Sequence, residues 1–226
     1  MRVEQIKQSL LRLQAVGRIA KLRNDYACKA WDWWHGVDTA GTVHLSTLTI
    51  HSPNAREAGV YASTHPALVS EMFEGLDVDL RKFVFVDFGS GKGRILLQAS
   101  EYPFRKIIGV EFAKELHEVA LANVRRFRRA NQKCGQIELV HADVTEYELP
   151  PVPEIIYLYS PFRPTLMSAV LENLGRSLRS YPRELVLVIQ NPAWAACVEQ
   201  LPGFADFCVV KRTKYYNVYR PSGALC

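Results

Sequence analysis

The sequence predicts an α/β fold in which helices cover a mostly parallel β-sheet, and two kinds of segment predict it. Short apolar runs rich in Val, Ile, Leu and Phe alternate with amphipathic helical segments, which is typical of strands buried on both faces of a parallel sheet. Two later β-rich runs flank a short basic turn and predict an antiparallel hairpin. The seven predicted strands are residues 84–88, 105–112, 137–141, 155–159, 184–190, 207–211 and 215–219.

A glycine-rich turn follows the first predicted strand. Residues 87–93 are Asp-Phe-Gly-Ser-Gly-Lys-Gly, and an amphipathic helical segment begins at Ile95. A strand, a glycine turn and a helix N-terminus form a site where a ligand can approach the backbone closely. The spacing excludes the phosphate loop G-x-x-x-x-G-K-[ST], and the third glycine comes one residue too early for the dinucleotide motif G-x-G-x-x-G. The carboxylate of Asp87 favours a ligand that carries a positive charge.

Two more acidic residues lie at the ends of the next two predicted strands. Glu111 comes 18 residues after Gly93, near the interval at which an acidic residue binds ribose in βαβ nucleotide sites. Asp143 follows the third strand. Because parallel strands end at one edge of the sheet, we expect the three carboxylates to lie close together. A helix N-cap or a solvated turn is the alternative for any one of them, but it explains all three less well.

The pattern Asp-x-Gly-x-Gly-x-Gly at residues 87–93 resembles the first motif of the class I S-adenosylmethionine (SAM) methyltransferases, and the resemblance covers residues 61–221. It implies the class I methyltransferase (Rossmann-like) fold, a seven-stranded mostly parallel sheet with a C-terminal antiparallel hairpin. It also implies SAM as cofactor and S-adenosylhomocysteine as product. Asp87 would face the methionyl ammonium, Glu111 the ribose and Asp143 the adenine. The implied cofactor-binding residues of these motifs are Asp87, Gly89, Ser90, Gly91, Glu111, Asp143 and Val144.

A second resemblance concerns the segment Tyr61-Ala62-Ser63-Thr64, which precedes a predicted helix at residues 67–75. Some lysine N-methyltransferases carry a similar Tyr-x-x-Thr segment before the first motif. In those enzymes it flanks the methionyl carboxylate of SAM. The resemblance therefore implies that Tyr61 and Thr64 also bind the cofactor.

The loop after the fourth predicted strand is Ser160-Pro161-Phe162. It resembles the [DNS]-P-P-[YF] motif of class I methyltransferases that act on amino nitrogen, although it is one proline shorter. The likeness implies Ser160, Pro161 and Phe162 as catalytic residues and the amine of a small molecule or protein side chain as acceptor. Transfer from an activated sulfonium depends largely on positioning, so no metal is expected. A proline-containing turn without a catalytic role is the alternative.

Residues 1–60 are predicted to form a helical N-terminal extension, or substrate cap, and residues 61–226 the SAM-binding domain. Apolar residues at three- and four-residue steps predict a first helix at residues 2–30. Packing on its own domain is the favoured role of this helix, and a substrate lid or a homodimer contact are the alternatives. Trp31, Trp33 and Trp34 cannot all face one core, so at least one should be partly exposed.

Composition leaves several classes of protein open. The net charge of +5 permits nucleic acid as a partner without requiring it, and the arginine run at residues 125–129 is explained as well by a solvated helix end. Five scattered cysteines, no leader peptide and no membrane-length apolar run predict a cytoplasmic protein with no membrane partner. An RNA methyltransferase, a non-catalytic SAM-binding subunit and, as the weakest case, a nicotinamide dehydrogenase remain the alternatives.

Overall fold

The computed structural model describes residues 2–57, 59–127, 131–159 and 162–222. Within these residues the helices are α1 (Arg2–His35), α2 (Pro66–Glu74), α3 (Arg94–Ala99), α4 (Lys114–Arg126), α5 (Pro164–Ser180) and α6 (Pro192–Val198). The strands are β1 (Thr42–His44), β2 (Val60–Ala62), β3 (Val84–Phe88), β4 (Lys106–Glu111), β5 (Ile137–His141), β6 (Glu154–Tyr159), β7 (Leu185–Gln190), β8 (Phe207–Arg212) and β9 (Tyr216–Pro221).

Seven of these strands form one sheet in the order β5-β4-β3-β6-β7-β9-β8. Strands β3 to β7 pair in parallel, while β9 pairs antiparallel with both β7 and β8. The predicted fold, a mostly parallel sheet with a C-terminal antiparallel hairpin, is confirmed. All five residues of β3 are buried, because apolar side chains of α2 and α3 pack on one face of the sheet and those of α5 and α6 on the other. This arrangement explains why the central strands are continuously apolar.

The first helix is longer than predicted. The prediction ended near residue 30, but α1 continues to His35 because the intervening tryptophans and Asp32 do not interrupt a helix. Gly36 then ends it with φ of +67°, a conformation that glycine adopts without steric cost. After the second sheet strand a helix is predicted at residues 113–130, but α4 ends at Arg126. Residues 128–130 of that prediction lie outside the described residues.

A small second sheet was not predicted. Strands β1 and β2 pair antiparallel, with Val43 opposite Tyr61. Their pairing joins residues on both sides of the predicted domain boundary at residue 60, so the two predicted domains share this hairpin. The division into a cap and a SAM-binding domain stays a prediction.

Two other expectations concern the environment of the chain. Among the described residues, no helix is both long enough and apolar enough to cross a membrane. Cys28, Cys134 and Cys197 are free. Cys208, in contrast, is disulfide-bonded, which the scattered spacing of the cysteines did not predict.

Candidate cofactor and acceptor site

A cavity with about 670 Å³ of empty space, open solvent included, lies at the carboxyl edge of the sheet, next to β3, β4 and β6. It brings together seven of the predicted site residues, namely Tyr61, Thr64, Asp87, Gly89, Ser90, Glu111 and Phe162. A smaller cavity of about 240 Å³ shares Gly89, Phe112 and Phe162 with the first. Asp143 and Val144 line this second cavity. The two cavities therefore form one groove along the strand ends.

Asp87 lies on β3 and is only 2% exposed. Burial and the nearby negative charge of Glu111 raise the pKa of Asp87 well above its ordinary value. No hydrogen bond from a described residue offsets these two effects. A carboxylate in this position is stabilised when a positive charge enters the cavity, because the cation replaces the lost solvation.

Glu111 connects the end of β4 to the glycine turn. Its two carboxylate oxygens accept hydrogen bonds from the backbone N–H groups of Gly91 and Ala113, both at 2.8 Å. Burial raises the pKa of Glu111 to about 7, although these backbone donors oppose the shift. Each oxygen keeps a second lone pair, so the side chain can still accept hydrogen bonds from two hydroxyls.

Asp143 follows β5 and holds the segment at residues 52–54 against the sheet edge. Its carboxylate accepts hydrogen bonds from the Ser52 hydroxyl, from Asn54 Nδ2 at 3.0 Å and from the Thr145 backbone N–H at 2.9 Å. Burial alone would raise its pKa, but these hydrogen bonds outweigh burial and hold the pKa below its ordinary value. Asp143 is therefore an ionised acceptor beside Val144, and its contact with adenine stays a prediction.

Tyr61 and Gly91 depend on each other. A Cβ atom at Gly91 would lie 2.3 Å from Tyr61 Cε2, and Gly91 has φ of +53°. Glycine is therefore required because the tyrosine ring packs directly on the turn. The Tyr61 hydroxyl donates to the Thr39 carbonyl at 2.5 Å, and burial raises the Tyr61 pKa. Gly91 thus lies under a side chain rather than in the cavity wall, whereas Gly89 lines both cavities.

The predicted catalytic loop is only partly described. Ser160 and Pro161 lie outside the described residues. Phe162 is 7% exposed and lines both cavities together with residues from the glycine turn. Tyr157 and Tyr159 of β6 line the larger cavity beside it. The part of the groove next to β6 is therefore aromatic.

Sequence reasoning missed Arg94, which begins α3 directly after the glycine turn. Arg94 is 2% exposed and lines the larger cavity. Its Nη2 donates to Asp32 Oδ1 at 2.8 Å and to the Cys28 carbonyl at 3.1 Å, and its guanidinium lies 4.8 Å from the ring centroid of Trp31. An arginine at a helix N-terminus is electrostatically unfavourable. The position of Arg94 at the start of a helix and just before an apolar run was the sequence signal that its side chain needs a buried partner.

Asp32 extends this ion pair to the N-terminal part of the chain. Its carboxylate also accepts hydrogen bonds from Thr39 N and Thr39 Oγ1, both at 2.6 Å, and from Ala40 N at 2.5 Å. Two further contacts hold the same segment, residues 36–41, to the glycine turn. Lys92 Nζ lies 2.8 Å from Asp38 Oδ1, and Asn123 Nδ2 donates to the carbonyls of both Asp38 and Lys92. Residues before β1 therefore support the glycine turn and the cavity beside it.

Comparisons with known proteins match the chain to one family model and to solved structures with the same fold. The family model of histone methylation protein DOT1 matches residues 42–147, which include the described cofactor-side residues from Tyr61 to Val144 but not Phe162. The chain is similar to Escherichia coli yhhF, which is assigned as a methyltransferase, with a TM-score of 0.53 and 14% identity over 80% of this chain and 98% of that one. It is similar to magnesium protoporphyrin IX methyltransferase from Synechocystis PCC 6803 with bound SAM, with a TM-score of 0.51 and 14% identity over 70% and 80% of the two chains. No curated protein matches the chain in sequence.

The fold is that of the class I methyltransferases, and the DOT1 family model matches part of it. The cavity fits SAM, the cofactor that the glycine-turn motif implies, in two ways. Asp87 supplies a buried acid for a cationic group. Ser90 Oγ and two nitrogens of Arg94, Nε and Nη1, are buried without a hydrogen-bond partner among the described residues. The methionyl end of SAM carries both an ammonium and a carboxylate, so the buried acid and the unpaired donors together suit it. Among the described residues, no group of His, Cys, Asp and Glu side chains could hold a metal ion.

Proposed function

We propose that this protein transfers the methyl group of SAM to an amino nitrogen on a protein side chain or a small molecule. The observation that carries this proposal is the chemistry of the cavity wall on the acceptor side. Leu45, Val60, Tyr159 and Phe162 are apolar or aromatic and line the larger cavity. Such an entrance suits a narrow alkyl amine better than a large polar group.

Bound SAM supplies a methyl group activated by its sulfonium, and the chain supplies position and environment. An ammonium that enters an apolar cavity loses solvation, which lowers its pKa and yields the neutral amine that can react. The faces of Tyr159 and Phe162 attract the cation during entry and stabilise the charged methylated product. An amine therefore needs little further assistance from the protein.

A hydroxyl acceptor would require a general base, since its own pKa is far above neutral. Among the described residues that line the larger cavity there is no His or Lys. The carboxylates of Asp87 and Glu111 lie on the cofactor side. Burial raises the pKa values of Tyr61 and Tyr157, so neither phenol is ionised at neutral pH. This combination favours nitrogen over oxygen as the acceptor.

The match to a model described as histone methylation protein supports a protein acceptor. The match ends at residue 147, before β6 and Phe162, so it does not cover the wall that we assign to the acceptor. For this reason the proposal includes a small-molecule amine as well as a protein side chain. We assign Phe162 to the acceptor wall, and Ser160 and Pro161 to the adjoining loop as predicted. Residues 1–60 act as the cap of the site in this proposal, with the Asp32–Arg94 pair as their link to it.

The experiment uses methyl-labelled SAM, the purified protein and a cell extract divided into protein, RNA and small-molecule fractions. We expect label in the protein or small-molecule fraction, stable to mild base as an N-methyl group is. Asp87→Asn is the control and should abolish the transfer, because it removes the charge that faces the cofactor.

Other outcomes contradict the proposal in distinguishable ways. Base-labile label would indicate a carboxyl oxygen as acceptor, and label released by ribonuclease would indicate an RNA methyltransferase. Binding of SAM measured by calorimetry, together with no label in any fraction, would indicate a non-catalytic SAM-binding subunit.

A further inference from the structure

The outward side of α1 exposes an unusual amount of apolar surface. Among the described side chains, five of the nine exposed large hydrophobic residues lie on this helix. They are Ile19, Leu22, Tyr26, Trp33 and Trp34, which we call the α1 outer face. The two tryptophans are 82% and 71% exposed, and their ring centroids lie 6.4 Å apart.

The spacing of these residues places them on one side of the helix. Ile19, Leu22, Tyr26 and Trp33 follow at steps of three, four and seven residues, which is the spacing of a single helical face. Cys28 and Asp32 lie on the opposite side and are buried against the domain. Arg94 contacts this inner side, so the α1 outer face points away from the cofactor cavity.

The exposed area is large enough for a specific interface. A fully buried aromatic side chain covers about 150–250 Å², so Tyr26, Trp33 and Trp34, at 78%, 82% and 71% exposure, present roughly 350–580 Å². Ile19 and Leu22 add to this. The largest apolar patch on a typical monomer is about 300–600 Å², and one side of a standard interface is about 800 Å². The α1 outer face therefore approaches the area that one subunit contributes to a dimer.

We propose that the α1 outer face is a homodimer interface, occupied by the same face of a second copy of this chain. Two copies bury it against itself around a two-fold axis, which forms a closed dimer and leaves no apolar patch. The cofactor cavity lies on the inner side of α1 and stays open in such a dimer.

Apart from the buried Asp32, the charged residues that lie between the apolar residues of the α1 outer face in sequence are Lys21, Arg23, Asp25 and Lys29. The choice of a second copy therefore rests on the exposed apolar area and not on charge. This inference goes beyond the proposed function and does not depend on it.

The test compares Tyr26→Lys with Tyr181→Lys in the full chain under reducing conditions. Tyr26 and Tyr181 are both exposed tyrosines, at 78% and 60%, but Tyr181 follows α5 and lies off the α1 outer face. Sedimentation velocity over a micromolar concentration series should give the wild type twice the chain mass of 25.7 kDa. We expect Tyr26→Lys to raise the dimer dissociation constant at least tenfold and Tyr181→Lys to leave it unchanged.

Circular dichroism and the SAM-induced thermal shift should be the same in all three proteins, which separates loss of the dimer from loss of the fold. A wild-type monomer at every concentration would overturn the inference, as would a dimer equally stable in Tyr26→Lys. A monomer that sediments with phosphatidylglycerol vesicles would also overturn it and would assign the surface to a membrane instead.

Discussion

The buried ion pair between Asp32 and Arg94 allows the sharpest test of how the N-terminal residues support the site. Their side chains are 9% and 2% exposed, and Asp32 accepts four hydrogen bonds in all. Asp32→Asn keeps the size and one oxygen of the side chain but removes its charge. The guanidinium of Arg94 then stays buried without a counter-ion, and the new amide group faces other donors.

We expect Asp32→Asn to lower the free energy of unfolding by about 3–5 kcal/mol, the usual cost of removing one partner of a buried pair. For a chain of this length each kcal/mol corresponds to about 2–4 °C in Tm, so the expected fall is roughly 6–20 °C. The matched control is Asp206→Asn, which breaks an ion pair with Arg179 whose side chains are 50% and 67% exposed. Exposed pairs contribute about 0–1 kcal/mol, so this variant should lose little.

Urea denaturation and differential scanning fluorimetry of both variants, without SAM, measure the difference. The double variant Asp32→Asn with Arg94→Met should recover part of the loss, because no unpaired charge remains buried. Calorimetry should also show weaker SAM binding in Asp32→Asn, since Arg94 lines the cavity. The reasoning is refuted if Asp32→Asn costs no more stability than Asp206→Asn.

Three further predictions concern the cavity itself. Burial raises the pKa of Glu111 from 4.5 to about 7. Between these two pH values the native state binds more protons than the unfolded state. The free energy of unfolding of the SAM-free protein should therefore fall as pH rises through this range, by up to about 3 kcal/mol. Glu111→Gln should flatten that dependence in urea denaturation at pH 5 and pH 8, and identical slopes would contradict the assignment. Gly91→Ala should lower both Tm and SAM affinity, because the new Cβ would lie 2.3 Å from the Tyr61 ring. A variant as stable as the wild type would contradict the packing of Tyr61 on the glycine turn. Phe162→Leu should reduce turnover more than SAM affinity, and equal losses of both would remove Phe162 from the acceptor wall.

Much of the fold was predictable because its signals are local. A buried parallel strand is recognised by a short apolar run, and a helix by apolar residues at three- and four-residue steps. The strands predicted at residues 84–88 and 137–141 match β3 and β5 at both ends. The positions of Asp87, Glu111 and Asp143 followed from the same patterns, since parallel strands bring their carboxyl ends to one edge.

The support of the site was not predictable in this way. Arg94 and Asp32 are 62 residues apart, and segment 36–41 has no periodic pattern. Its contacts with the glycine turn come from individual polar groups, such as Lys92 with Asp38 and Asn123 with two carbonyls. Such pairs form only after the chain has folded, so no spacing in the sequence indicates them.

By itself, the sequence determined the sheet, the glycine turn and the three acidic strand ends, because each depends on a few neighbouring residues and their periodicity. Only the tertiary structure decided that Asp143 is tethered to residues 52–54, that Tyr61 packs on Gly91 and that Arg94 is paired through α1. The physical reason is that desolvation and pairing depend on which groups meet across the fold. A buried charge finds its partner in space rather than at a fixed distance along the chain.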